Sequence, residues 1–105
     1  MSGQLGSAAP AADTATTLYT VPADTRATVN IHACNRGAFT AKVRIAITAD
    51  ASPSNKDWIE FNAPVEANGV LQNTAVVMSA GEKIVVQDDT GEVSYRVHGM
   101  TKGTV

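Results

Sequence analysis

The chain has 105 residues and a formal net charge of −2, with 44% hydrophobic, 17% charged and 5% aromatic residues. That balance excludes the strongly basic footprint of a nucleic-acid binder, and a lone cysteine, Cys34, excludes an internal disulfide. One domain of this size buries about two-thirds of its unfolded surface without metal or disulfide staples, and scarce aromatics leave the core to Val, Ile, Ala and Leu.

In chain order, Met1 to Thr17 (MSGQLGSAAPAADTATT) is small and polar, carries Asp13 as its one charge and Leu5 as its one large aliphatic anchor, and shows no period. Such a stretch cannot offset its ordering entropy alone. The expectation is a flexible N-terminal arm over residues 1–17, either a disordered leader or an arm that becomes ordered by lying on a neighbouring subunit, followed by a folded domain over residues 18–105. The first residues lack the basic and apolar regions of a secretory leader. No apolar run approaches the roughly 20 residues that span a bilayer. A soluble protein made in a cytoplasm, with no membrane partner, is therefore expected.

Leu18 to Val29 (LYTVPADTRATV) is the junction. It reads as a short β-rich run, a turn at Pro22-Ala23-Asp24 and the start of a second run. Pro22 has a fixed φ and no N–H, so strand pairing ends there. Ala27 to Cys34 alternates, with Val29, Ile31 and Ala33 on one face and Thr28, Asn30 and His32 on the other. Asn35-Arg36-Gly37 reads as a turn. Thr40 to Thr48 alternates again, Val43, Ile45 and Ile47 facing away from Lys42, Arg44 and Ala46.

A polar loop over Asp50 to Lys56 leads into WIEF, Trp58 to Phe61. Because a buried Glu60 would be costly, Ile59 and Phe61 are expected to point inward, and Trp58 either to stand partly exposed as a contact residue or to tuck under a loop at the sheet edge. After a connection closed by Asn68-Gly69, Val70 to Met78 alternates poorly, as a doubly buried or bulged strand would. Lys83 to Gln87 is the next strand. Asp88-Asp89-Thr90-Gly91 has the composition of a tight hairpin, and Glu92 to Gly99 closes the fold. No stretch of ten residues holds a helical period. The pattern predicts an all-β antiparallel sandwich, jelly-roll or immunoglobulin-like, of seven to eight strands.

Residues with chemical capacity are few. His32 and His98 fall on outward faces, and Cys34 lies two residues from His32 on the same side. A metal site would need further converging ligands, and a catalytic Cys/His pair an orienting third group. An inter-subunit disulfide through Cys34 stays open. Asp88, Asp89 and Glu92, like Asp50 and Asp57, read as solvated turns without calcium-loop spacing. The expectation is no catalytic residue, no metal and no cofactor.

Several stretches, taken in order, carry a resemblance: Gly3-Gln4-Leu5-Gly6, an Ala/Thr-rich spacer, Leu18 to Ala23 (LYTVPA), the turn Cys34-Asn35-Arg36-Gly37, Met78-Ser79-Ala80-Gly81-Glu82, and a last strand Val93-Ser94-Tyr95-Arg96-Val97-His98-Gly99. Together they resemble the small β-sandwich structural proteins of tailed-bacteriophage virions. The resemblance covers nearly the whole chain through loose motifs. It implies a non-enzymatic sandwich, located in the virion, that decorates, joins or caps a part of the particle. Capsid, collar or neck, tail, baseplate and fibre attachment all stay open. The partners it implies are other virion proteins and copies of the chain itself, with Leu5, Pro22 and Trp58 as candidate assembly contacts. The alternative is a carbohydrate- or receptor-binding sandwich, with Trp58 and Tyr19 stacking on a glycan.

Overall fold

A computed structural model describes residues 2–50 and 52–103. It contains eight strands and, among the described residues, no helix: β1 (Ser2–Ala8), β2 (Thr16–Thr20), β3 (Thr25–Asn35), β4 (Ala41–Thr48), β5 (Trp58–Val65), β6 (Val70–Met78), β7 (Lys83–Asp88) and β8 (Val93–Gly103). They form two four-stranded antiparallel sheets, ordered β1-β8-β3-β6 and β2-β7-β4-β5. The outermost strands of the sequence pair with each other, as do each successive pair inward: β1 with β8, β2 with β7, β3 with β6, β4 with β5. A long antiparallel ribbon wound this way, its pairs falling alternately in one sheet and the other, is a jelly roll. The all-β sandwich is therefore the observed fold, and its strand order is the jelly-roll one.

Period-two alternation places the core. From the first sheet, Val29, Ile31 and Ala33 of β3 and Val93, Tyr95 and Val97 of β8 are buried, and from the second, Val43 and Ile45 of β4 with Ile84 and Val86 of β7. Burying one such Val or Ile side chain contributes about 1.5–3 kcal/mol, and the two inner faces bury theirs against each other.

Composition sets residues 1–17 apart as an arm, and the structure places most of that segment within the fold. Met1 lies outside the described residues. Ser2–Ala8 is the edge strand of the first sheet, in register with β8 from Ser2↔Met100 to Ala8↔Tyr95. A bulge between Gln4 and Gly6 leaves Leu5 as the extra residue, packed against this chain's own core. A Cβ on Gly6 would collide with the backbone carbonyl of Leu18, so only glycine lets β1 and β2 come this close. Backbone ladder bonds need no particular side chains, which is why a strand of Gly, Ser and Ala left no period to read.

Two other expectations are corrected. Ile59 and Phe61 do not point inward: they are 43% and 55% exposed, while Glu60 is half-buried opposite Ile45. β5 carries two register shifts against β4, between Val43 and Ile45 and again between Ile45 and Ala46, and Asn62 takes a left-handed φ of 55°. Each shift reverses the faces of the residues beyond it, so strict alternation fails. The turn at Asp88 to Gly91 is no hairpin either, because β7 and β8 lie in different sheets. It is a corner between the layers, with Gly91 at φ 74°. The poor alternation of β6 resolves as a bulge, where Ala75 sits at φ 56° and its N–H donates to Asn30 Oδ1 at 2.9 Å.

Candidate functional site

The described residues offer two kinds of polar arrangement, buried corners and open faces. At the β7–β8 corner Asp88, 1% exposed, accepts a hydrogen bond from the Tyr95 hydroxyl at 3.1 Å and from the Gly91 N–H at 2.7 Å. Burial, and secondly the neighbouring Asp88 charge, push the Tyr95 phenol well above its usual range. At the β3–β4 corner the Asn35 amide, fully buried, donates to the carbonyls of Phe39 and Val65 and accepts from the Gly37 N–H. Both side chains satisfy backbone groups that the turns leave unpaired. They hold corners, and Asp88 also borders a small cleft with Lys42, Arg44 and Asn62.

Among the described residues, no three His, Cys, Asp or Glu side chains come together as a metal site. Asp57 is ordered for a local reason: the Ser54 N–H, above all, holds its carboxylate down at about 2, against some opposing burial, with further bonds from the Ser54 and Thr48 hydroxyls and Lys56. It pins the β4–β5 connection, and the Ile47 N–H donates to its carbonyl.

The outer face of the first sheet is the candidate site. The ladder sets its side chains in rows across β8, β3 and β6: Met100, Thr28 and Val77 in one, Arg96, His32 and Gln72 in another, Ser94, Cys34 and Val70 in a third. Asn30 and His98 form the row between the first two. The two imidazoles meet diagonally, edge to face, with ring centroids 5.8 Å apart, as diagonal neighbours on adjacent strands can. Arg96 donates to Gln4 Oε1 of β1 at 2.8 Å, which orients its guanidinium. His32, Cys34, Ser94, Arg96 and His98 line a groove of about 620 Å³, walled at one side by Ser7 and Ala8 of β1. Val70, Val77 and Met100 are 55%, 66% and 66% exposed on this face.

The residues singled out from sequence are dispersed. Leu5 lies under β1. Pro22 is exposed just past β2, next to Val21, whose N–H and carbonyl still bond Glu82 and Gly81. Trp58 is half-buried on the opposite outer face, beside Ala46, with its ring 5.4 Å from that of Phe61 at 68°. The Arg44 guanidinium stands 4.2 Å above the Phe61 ring. His32, His98 and Cys34 do share one outward face. Missing from the sequence reading was the grouping of Arg96 and Met100 of β8 with Val77 of β6, which the β3 ladder brings to one face. Comparison with protein-family models, with curated proteins and with solved structures finds no match.

Proposed function

We propose that this chain is a non-enzymatic structural protein of a tailed-bacteriophage virion and works through contacts with neighbouring subunits. The observation that carries the reading is the open outer face of the first sheet, where Val70, Val77 and Met100 stand exposed on a four-stranded platform. Exposed apolar groups on a flat, ordered face are what a subunit interface uses. The order of sequence motifs from Gly3 to Gly99 supplies the virion context. A glycan-binding reading through Trp58 and Tyr19 is less well supported: the two lie on β5 and β2, the opposite edge strands of the second sheet, and Trp58 meets its neighbour Phe61 edge to face rather than coplanar.

The test is to isolate particles of the virus that encodes the chain and identify their proteins by mass spectrometry. Stoichiometric recovery of peptides from this chain is expected. Its absence from particles that contain the other structural proteins overturns the reading.

A further inference from the structure

The four strands of the first sheet contain no Asp or Glu. They carry Arg26, Arg96, Lys102 and both histidines of a chain whose net charge is negative. The acidic residues all lie elsewhere, on the second sheet or in connections, as with Glu60, Glu66 and Asp89. Arg26, Arg96 and Lys102 are exposed, and among the described residues the one ion pair is Lys56–Asp57, on a connection. Among the described residues, no carboxylate forms an ion pair with the basic groups of this face. Arg26 and Lys102 stand directly opposite each other across β3 and β8, an arrangement that repels in the free protein.

We propose that this face docks an acidic, partly apolar segment of a partner protein, laid along β3 and β8. Charge complementarity carries the assignment. Carboxylates of the segment meet Arg96, His32 and His98 at the groove and Arg26 with Lys102 at the other end, while its apolar residues cover Val70, Met100 and Val77. From the row of Arg96 to the row of Lys102 is six residues of strand, roughly 20 Å, so about six extended residues reach both basic clusters. Exposed Val and Met favour protein over nucleic acid, whose backbone would leave them uncovered. Two copies of this face would set like charges against each other, which disfavours a face-to-face dimer. The inference rests on the reading that the chain acts through subunit contacts, and it names the partner's chemistry.

The experiment uses the full chain, isotope-labelled, titrated with a short peptide alternating Glu and Val, with the same peptide carrying Lys for Glu, and with oligothymidylate. The Glu peptide is expected to shift amides around His32, Arg96 and Lys102 saturably, to leave β4 and β5 unmoved, and to weaken as salt rises. Binding is expected to fall about tenfold or more in Arg96→Glu/Lys102→Glu. It falls less in Arg96→Gln/Lys102→Gln, whose unchanged thermal midpoint would show that the fold is retained. Equal binding of the Lys peptide, shifts centred on the second sheet, or indifference to both double variants overturns the proposal. Tighter binding of oligothymidylate overturns it in favour of nucleic acid. Peptide binding is decided whether or not the chain is found in particles. If the chain is in particles and the variants incorporate normally, the docking face fails and the virion reading stands.

Discussion

The two sheets have matching inner faces and very different outer ones. On the second sheet the outer side is partly closed by the chain itself: Ala46, Thr48 and Val85 are 0%, 2% and 4% exposed, with Trp58 opposite Ala46 and the Asp57 carbonyl bonded to the Ile47 N–H, while Phe61 stays 55% exposed beneath Arg44. On the first sheet Val70, Val77 and Met100 stay in the open, beside basic residues that form no ion pair among the described residues. Where the chain covers an outer face, the apolar residues beneath add to stability; where a face is left bare, they stay available for contact.

That contrast can be broken or sharpened by substitution. Ile31→Ala, on the shared inner face, is expected to have the largest effect, a loss of about 3–4 kcal/mol in urea unfolding, from lost burial and the cavity left behind. Asp88→Ala comes next, at about 2–3 kcal/mol, because it strands the buried Tyr95 hydroxyl and the Gly91 N–H at the corner that ties β7 to β8. Unfolding that stays two-state but loses less than about 1 kcal/mol would mean water replaces the carboxylate there.

Trp58→Ala should cost about 2 kcal/mol by uncovering the second sheet, whereas Met100→Ala on the first should stay within about 0.5 kcal/mol. Equal losses would erase the distinction between the two faces. The last effect is one of pH. The folded state holds Tyr95 protonated, so the unfolded chain releases that proton first. Stability from this group is intact below the ordinary tyrosine range near 10 and declines as pH rises through it. Thermal midpoints measured upward from neutral pH should therefore fall above about 10, and Tyr95→Phe should blunt the fall; an unchanged slope would assign the loss to other groups.

The legible parts of the fold were those where one residue type repeats at period two. β3, β4 and β8 could be read because Val29, Ile31 and Ala33, then Val43 and Ile45, then Val93, Tyr95 and Val97 alternate without interruption. β5 could not, since two bulges reverse its faces and bring Phe61 outward beneath Arg44. β1 could not, since its pairing is a matter of backbone bonds and its one apolar anchor, Leu5, enters the core only because the bulge at that residue turns it inward. The candidate site was half legible: the outward positions of His32, His98 and Cys34 followed from alternation, and their grouping with Arg96, Gln4 and Met100 did not.

By itself the sequence determined the class of structure. β-branched residues at period two, interrupted by Pro, Gly, Asn and Asp, leave the chain no stable alternative to short antiparallel strands with one buried side. Tertiary structure alone decided which strands share a sheet. A turn sequence such as Asp88-Asp89-Thr90-Gly91 reverses the chain equally well into a hairpin or across to the other layer, and the choice is made by burial of Tyr95 and Asp88 between the sheets. With it came the feature no local pattern contains: basic residues from opposite ends of the chain, Arg26 and Lys102, set side by side on an uncovered face.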